Sequence, residues 1–436
     1  MKNGKTFREY YAGINPIPFY IMIGLFIFSN MLLVVKFIEP IPETISLIRL
    51  AVNAVLLILC VMYVAINLLL WKLEVKSILV AVCMIALIGF AWNFIGQTNE
   101  FFCTIVAALL ALLAYQRDFR IILQIVLVSH IVAMTVGAIG LPLGYTELVY
   151  KVQTVDNGFS MGLIYPNHVG RMMFLILIIA WYLWGQERKV ITTVAFFTAA
   201  YFNWRVVNCR TIVLFLIGFP ICWWIITFFK DLEITNKDHK LVKSVRNAVI
   251  LAFPFICMLF TYIMGLHRVF LMEHWHFGQG IYALWMRFIS AGILFKYYGF
   301  PLFGRNILAE SGIIEVNNGQ VYAATIVDNA YVYYLIAIGG IALIACMLWL
   351  SFGAYRALKN KDYAYLLIYI FMCGYGIIEI VLFQFEHNFL FFYPLTATAM
   401  AYKGGAIASG EDVAPQEGIE AEIEINDNTE IKGSLQ

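Results

Sequence analysis

The chain predicts an all-α, polytopic membrane protein, and three observations predict it. Hydrophobic residues make up 62% of its 436 positions and charged residues 13%, against roughly 45–50% and about 25% in ordinary soluble domains. Apolar runs approaching the ~20 residues that a helix needs to cross the hydrocarbon core recur along the chain. Lys and Arg collect in alternate connections between those runs, as the positive-inside rule requires. The formal net charge is +2, and no nucleic-acid partner is expected.

Taken in order, twelve runs are expected to span: 18–37, 47–68, 75–92, 101–114, 121–141, 169–184, 190–202, 211–229, 248–266, 330–353, 363–383 and 388–402. The first continues at full spanning length without a small-residue cleavage site, so no cleavable signal peptide is expected. Six basic clusters fall on one side if both termini are cytoplasmic: Lys2/Lys5/Arg8, Lys72/Lys76, Arg117/Arg120, Arg188/Lys189, the segment from Lys230 to Arg246, and Arg356/Lys359/Lys361. Two outer connections are long, 142–168 and 267–329. Within the second, 280–299 is apolar but interrupted by Arg287, Ser290 and Lys296, which suits an amphipathic helix on the outer membrane surface. Residues 1–402 are thus expected to form the transmembrane domain. Residues 403–436 carry eight acids and few bulky apolar side chains, the composition of a disordered cytoplasmic tail.

Direction gives the arginines their meaning. With the tail included, thirteen of nineteen inner cations are Lys, whereas seven of the ten others are Arg. Those seven are Arg49, Arg171, Arg205, Arg210, Arg268, Arg287 and Arg305. Lys would serve topology as well. Guanidinium adds paired planar donors that match phosphate oxygens and a charge that is never lost, so an outer set of Arg points to an anionic substrate met from outside. Taken one at a time, each Arg can equally snorkel to the headgroups or pair with an outer acid such as Glu39 or Glu43.

Particular positions sharpen this. In Tyr165-Pro166-Asn167-His168-Val169-Gly170-Arg171, Pro opens a helix, and His168 and Arg171 at i,i+3 share the face turned into the bundle. Arg205 and Arg210 bracket a tight outer turn and offer two more guanidinium groups to the same cavity. Asp328-Asn329 opens a helix, where Asp is both a favoured N-cap and a carboxylate able to take a hydroxyl proton. Glu379 lies in an apolar span and is expected to pair with an arginine above it. His276, with His274 and Glu273, sits among aromatics in the large loop, where a sugar-stacking role and a weak metal signal are both open. His130, alone in an apolar helix, reads as a satisfied core residue. Cys60, Cys83, Cys103, Cys222, Cys257, Cys346 and Cys373 read as small packing residues within spans. Only Cys209 lies near the outer face, and no Cys spacing resembles a metal site. Neither a phosphate-binding glycine loop nor a nucleotide-sugar metal motif is present. No cofactor is expected, and a transferase of this composition would need a lipid-activated donor.

Four short motifs carry a resemblance: Tyr165-Pro166-Asn167, then Asn208-Cys209-Arg210-Thr211, then Arg287 followed by Pro301-Leu302-Phe303-Gly304, then Asp328-Asn329-Ala330-Tyr331 with Gly339-Gly340. Over 159–340 the chain resembles the Wzy-like polysaccharide polymerases, relatives of the O-antigen ligases. Asp328 stands where the ligases carry His, which favours the polymerase branch. The resemblance implies a membrane glycosyltransferase that joins undecaprenyl-diphosphate-linked repeat units at the outer face of the bacterial cytoplasmic membrane, independent of metal and nucleotide. It implies that Arg210 and Arg287 hold diphosphate, with Arg171 and Arg205 as supports. His168, His276, Arg305 and Glu379 are further substrate-binding candidates, and in the mechanism that follows Asp328, or else His276 or Glu386, takes the proton. Expected partners are the lipid-linked oligosaccharide, the bilayer, a flippase and a chain-length regulator. The alternatives are a flippase for the same lipid and an O-antigen-type ligase.

Overall fold

The structure is a computed structural model that describes residues 15–32, 42–71, 98–115, 117–140, 142, 149–152, 155–161, 163, 166–231, 240–273, 282–305, 314–317, 320–323, 328–384 and 387–396. Helices α1 (Ile17–Met31), α2 (Pro42–Trp71), α3 (Thr98–Leu113) and α4 (Phe119–Gly140) come first. α1 packs on α4, and α2 on α3. α5 (Pro166–Ala180) and α6 (Lys189–Phe202) each run on into one turn of π-helix, Trp181–Gly185 and Asn203–Val207. There follow α7 (Arg210–Asp231), α8 (Lys240–Leu251), α9 (Phe253–Leu266), α10 (Arg268–Glu273) and α11 (Tyr282–Tyr298). The last are α12 (Ala330–Ala337), α13 (Gly339–Asn360) and α14 (Tyr363–Tyr375). The long connections add two antiparallel hairpins to the all-α expectation: β1 (Val149–Val152) with β2 (Val155–Phe159), and β3 (Ile314–Asn317) with β4 (Gln320–Ala323).

Among the described residues, five helices are long and apolar enough to cross a membrane, or six if Ser244–Leu251 and Phe253–Leu266, bent by 63°, form one span. Apolar side chains stay exposed along such helices: Val190, Ile191, Val194 and Phe197 on α6, and Leu214, Ile221 and Ile225 on α7. In water so much exposed apolar surface would be a liability; against acyl chains it is the expected face. These features are those of a helical membrane protein.

The twelve continuous spans are not reproduced, and the breaks have physical causes. The run 248–266 bends where Pro254 enters the first turn of α9 and supplies no N–H. The run 330–353 is cut at Ile338 because Gly339 adopts a left-handed φ of +86°. The run 363–383 stops as a helix at Tyr375, just before Gly376. Over 388–402 the described residues form the 3-10 turns Phe389–Phe391 and Tyr393–Leu395. There the Asn388 side chain accepts from Leu390 N–H, and Pro394 cannot extend a helix. The run 75–92 lies outside the described residues, as do His276, Glu386 and the acidic tail.

The expected amphipathic helix at 280–299 exists as α11, but it does not lie on a surface. Phe288, Ile289, Ala291, Ile293 and Leu294 are all nearly inaccessible, and α11 packs along α9. Glycines allow this close approach: a Cβ on Gly265 would stand 3.1 Å from Gly292 Cα. The charges that interrupt the run are therefore held at the ends of a packed helix.

The two ends of the bundle differ. At one, Arg120 donates to Leu183 O at 2.8 Å and Arg356 to Pro394 O at 3.0 Å. Buried Asp362, which caps α14, accepts there from Tyr182 OH at 2.8 Å and Tyr393 OH at 3.0 Å. Burial raises the Asp362 carboxyl pKa from its ordinary value, against the pull of these donors. Three of the basic connections thus meet at this end. Aromatic contacts carry the core between the ends, Phe196 stacking on Phe219 at 5.2 Å and Trp181 meeting the same ring edge-on at 4.8 Å.

Candidate functional site

At the other end, the site begins with the start of α12. Asn329 is its N-cap: Oδ1 accepts from Val332 N–H at 3.1 Å while Nδ2 donates to Ile377 O at 2.6 Å. The capping role open to Asp328 therefore goes to its neighbour. Asp328 is left to bind Arg287 of α11, with Nη2 to Oδ2 at 2.7 Å and side chains 15% and 32% exposed respectively. A charge-assisted contact of that length is strong and directional.

Arg287 reaches further than one acid. α14 unwinds after Tyr375, and unwinding sets free three consecutive carbonyls that a helix would have used. Each is captured: Gly376 O by Ala330 N–H at 2.8 Å, Ile377 O by Asn329 Nδ2, and Ile378 O by Arg287 Nε at 3.1 Å. Irregular backbone at membrane depth is tolerated where it is buried in protein with its polar groups satisfied, and it is where transporters and channels build sites. Here it delivers Glu379, only 6% exposed, into the same cluster.

Glu379 was expected to pair with an arginine. Instead its carboxylate makes no hydrogen bond or ion pair among the described residues. It lies in the combined field of Asp328, Arg171 and Arg287. Arg171, on the first turns of α5, is 5% exposed, which agrees with the inward face expected for it. Gly170 sets its depth, since a Cβ there would stand 2.7 Å from Asn203 Oδ1 and 3.0 Å from Cys209 Sγ.

Behind Arg171 stands a group that the sequence did not disclose. The rings of His130 and His387 lie 5.7 Å apart and are fully enclosed. Together with His168 they lie in the field of Arg171. His130 Nδ1 is satisfied by Val126 O at 2.8 Å, but His130 Nε2, His387 Nδ1 and Arg171 Nε have no hydrogen-bond partner among the described residues. His130 is therefore not the satisfied core residue expected of it. No linear signal marks it, because its partner His387 arrives from the far end of the chain.

The remaining residues divide. Arg205 is exposed and lies over the ring of its neighbour Trp204, 4.7 Å from the centroid. Arg210 is exposed at the start of α7, whereas the adjoining Cys209 is buried within the field of Glu379 and Arg287. Arg305 is exposed, and its N–H donates to Ile336 O at 2.7 Å. This bond belongs to a seam between two quoted motifs: Gly340 N–H donates to Pro301 O at 2.8 Å, and Gly339 and Gly304 each approach the other segment's backbone too closely for a Cβ. Pro301–Gly304 thus docks into the α12–α13 break and fixes the height at which Asp328 stands. Among the described residues no group of three or more His, Cys, Asp or Glu is placed to hold a metal ion.

Asn329 ties the two halves of the site. Replacing it by Ala removes a helix cap worth roughly 1 kcal/mol and strands a buried carbonyl at about 1–3 kcal/mol. Asn329→Ala is expected to destabilise the detergent-solubilised protein by about 3 kcal/mol, read as a lowered unfolding midpoint. An unchanged midpoint would refute the tie.

Fold and site together define a helical membrane protein with a largely enclosed charged cluster at one end of its bundle, built from two arginines and two acids around an unwound helix end. No protein-family model, curated protein or solved structure matches the chain.

Proposed function

We propose that the chain polymerises undecaprenyl-diphosphate-linked oligosaccharide repeat units into a surface polysaccharide. It would do so as a multi-pass protein of the bacterial cytoplasmic membrane, with the arginine cluster facing outward and both termini cytoplasmic. The observation that carries this reading is the convergence of Arg171 and Arg287, from separate helices, on Asp328 and Glu379 at the end away from the basic connections. Buried charges within a membrane protein are expensive and by default functional. Two guanidinium groups with two carboxylates suit a reaction that must hold a diphosphate and accept a proton.

Incoming diphosphate competes with Asp328 for Arg287 and draws on Arg171, while the exposed Arg210 meets it at the rim. The growing chain on its lipid diphosphate is the donor, and a hydroxyl of one lipid-linked repeat unit attacks its anomeric carbon. Diphosphate leaves readily, so arginines that stabilise the charge developing on its oxygens supply the main electrostatic contribution. A carboxylate of the cluster takes the hydroxyl proton. Around this site, a flippase delivering the lipid-linked unit and a chain-length regulator are the proposed protein partners.

The test is reconstitution in liposomes with the lipid-linked oligosaccharide extracted from the producing cells. Ladders of increasing glycan length are expected without added nucleotide. Transfer of intact lipid between leaflets, with no ladder, would instead indicate a flippase, and attachment to a different acceptor a ligase.

A further inference from the structure

We infer that Glu379, rather than Asp328, takes the proton from the acceptor hydroxyl; the inference rests on the polymerase reading above. Asp328 is the less suited of the two acids. Its Oδ2 is held by Arg287 at 2.7 Å, and a carboxylate in a charge-assisted bond to guanidinium is a weak proton acceptor. Glu379 has no such bond among the described residues, yet it is the more deeply enclosed, at 6% exposure.

Placement supports the same assignment. The residues just before Glu379 are pinned at three successive carbonyls by Ala330 N–H, Asn329 Nδ2 and Arg287 Nε, so the side chain starts from a fixed backbone, as a preorganised site requires. The groups within electrostatic reach of it come from several elements: Arg171 from α5, Cys209 before α7, Arg287 from α11, Asp328 before α12 and Tyr375 from α14. Two of these are the cations that would turn to the diphosphate. Once they do, Glu379 is an enclosed carboxylate without its counter-charges, the condition in which a carboxylate binds a proton most readily. One guanidinium, Arg287, thereby links donor binding to acceptor activation, because the same side chain holds Asp328, Ile378 O and, when present, phosphate.

The step balances simply. The acceptor oxygen forms a bond to the anomeric carbon, and its proton passes to Glu379. The bond from that carbon to the diphosphate oxygen breaks, its electron pair leaving with the lipid diphosphate. The proton is then released to the outer water as product departs.

The test uses the full chain in liposomes with extracted lipid-linked oligosaccharide. Loss of a general base costs about 10²–10⁴-fold, so E379Q is expected to lower the initial ladder rate about 100-fold or more, with the concentration of substrate at half-maximal rate changed by less than about threefold. D328N is expected to lose about tenfold or less, and E379D to recover part of the rate. The wild-type rate should rise with pH to a plateau, and E379D should shift that acid limb. If E379Q does not purify as a monodisperse protein, E379D and its pH profile decide the matter. A rate in E379Q close to wild type, an unmoved acid limb in E379D, or a larger loss in D328N than in E379Q overturns the assignment. Failure of the wild-type protein to form any ladder overturns the polymerase reading itself, which separates the two outcomes.

Discussion

Arg287→Lys is expected to lower ladder formation by about 100-fold or more while the protein remains folded. Arg287 donates from Nη2 to Asp328 and from Nε to Ile378 O at once. Lysine offers a single compact ammonium and cannot reproduce two directed donors from one plane. Losing one preorganised donor to a developing anion costs roughly 2.7–4 kcal/mol, which is about 10²–10³-fold in rate. The charge is conserved in this replacement, so topology and gross electrostatics are unchanged and the loss reports geometry. The measurement is the initial rate of ladder growth alongside a binding titration with undecaprenyl diphosphate. Full activity in the Lys variant would defeat the proposal that Arg287 clamps the diphosphate. Arg205→Lys is the companion: Arg205 is exposed and lies over its own neighbour Trp204, so that replacement should cost less than about tenfold.

The largest expected effect on stability is at Gly292. A Cβ there would overlap the Gly265 carbonyl oxygen and stand 2.9 Å from the carbonyl carbon. Both are backbone atoms in the last turn of packed α9, so no side-chain rotation relieves the overlap, and α9 and α11 must separate. Overpacking a tight contact costs typically about 1–3 kcal/mol, and a branched residue meets more of it. Gly292→Val is expected to destabilise by about 3 kcal/mol or more, lowering the unfolding midpoint in detergent. It should lower ladder formation as well, because α11 carries Arg287 and α9 supplies Thr261 beside Asn329. Gly299→Ala provides the contrast. Gly299 has a left-handed φ of +64° but open space around it, so the change carries only backbone strain of about 1–2 kcal/mol. A Gly292→Val variant as stable as wild type would show that the α9–α11 contact is looser than described.

Much of the architecture was legible because membrane insertion is read from local composition. Helices occur at most of the expected apolar runs, and the breaks within them fall at Pro254, Gly339 and Gly376, residues whose backbone preferences are written in the chain. What the runs could not convey was continuity. A window of apolar residues looks the same whether it forms one straight helix, two short ones at 330–353, or the 3-10 turns after Asn388. The misplacement of 280–299 has the same root: Arg287, Ser290 and Lys296 interrupt the run as they would in a surface helix, and whether the remaining faces meet lipid or protein is a property of the neighbours.

The site was legible in part. Arg171 and Arg287 were singled out because Arg is the wrong residue for topology alone, and both lie in the cluster. Arg205, Arg210 and Arg305 carry the same chemical signal but lie exposed, because one residue more or less of π-helix or loop turns a side chain from the interior to the rim. Asp328 and Asn329 are adjacent and both able to cap, and only the position of Ile377 O and Arg287 decides that Asn caps and Asp pairs.

By itself the sequence determined that this is a membrane protein rich in helices and that its Lys and Arg are unevenly divided among its connections. Those properties follow from composition and from transfer energies that act residue by residue. Only the tertiary structure decided which charges lie together. It brought His130 to His387 and Glu379 to Arg171 and Arg287, and it set three freed carbonyls against three donors. Such contacts join residues far apart in the chain, and their energies depend on distance and enclosure, which no local pattern of residues encodes.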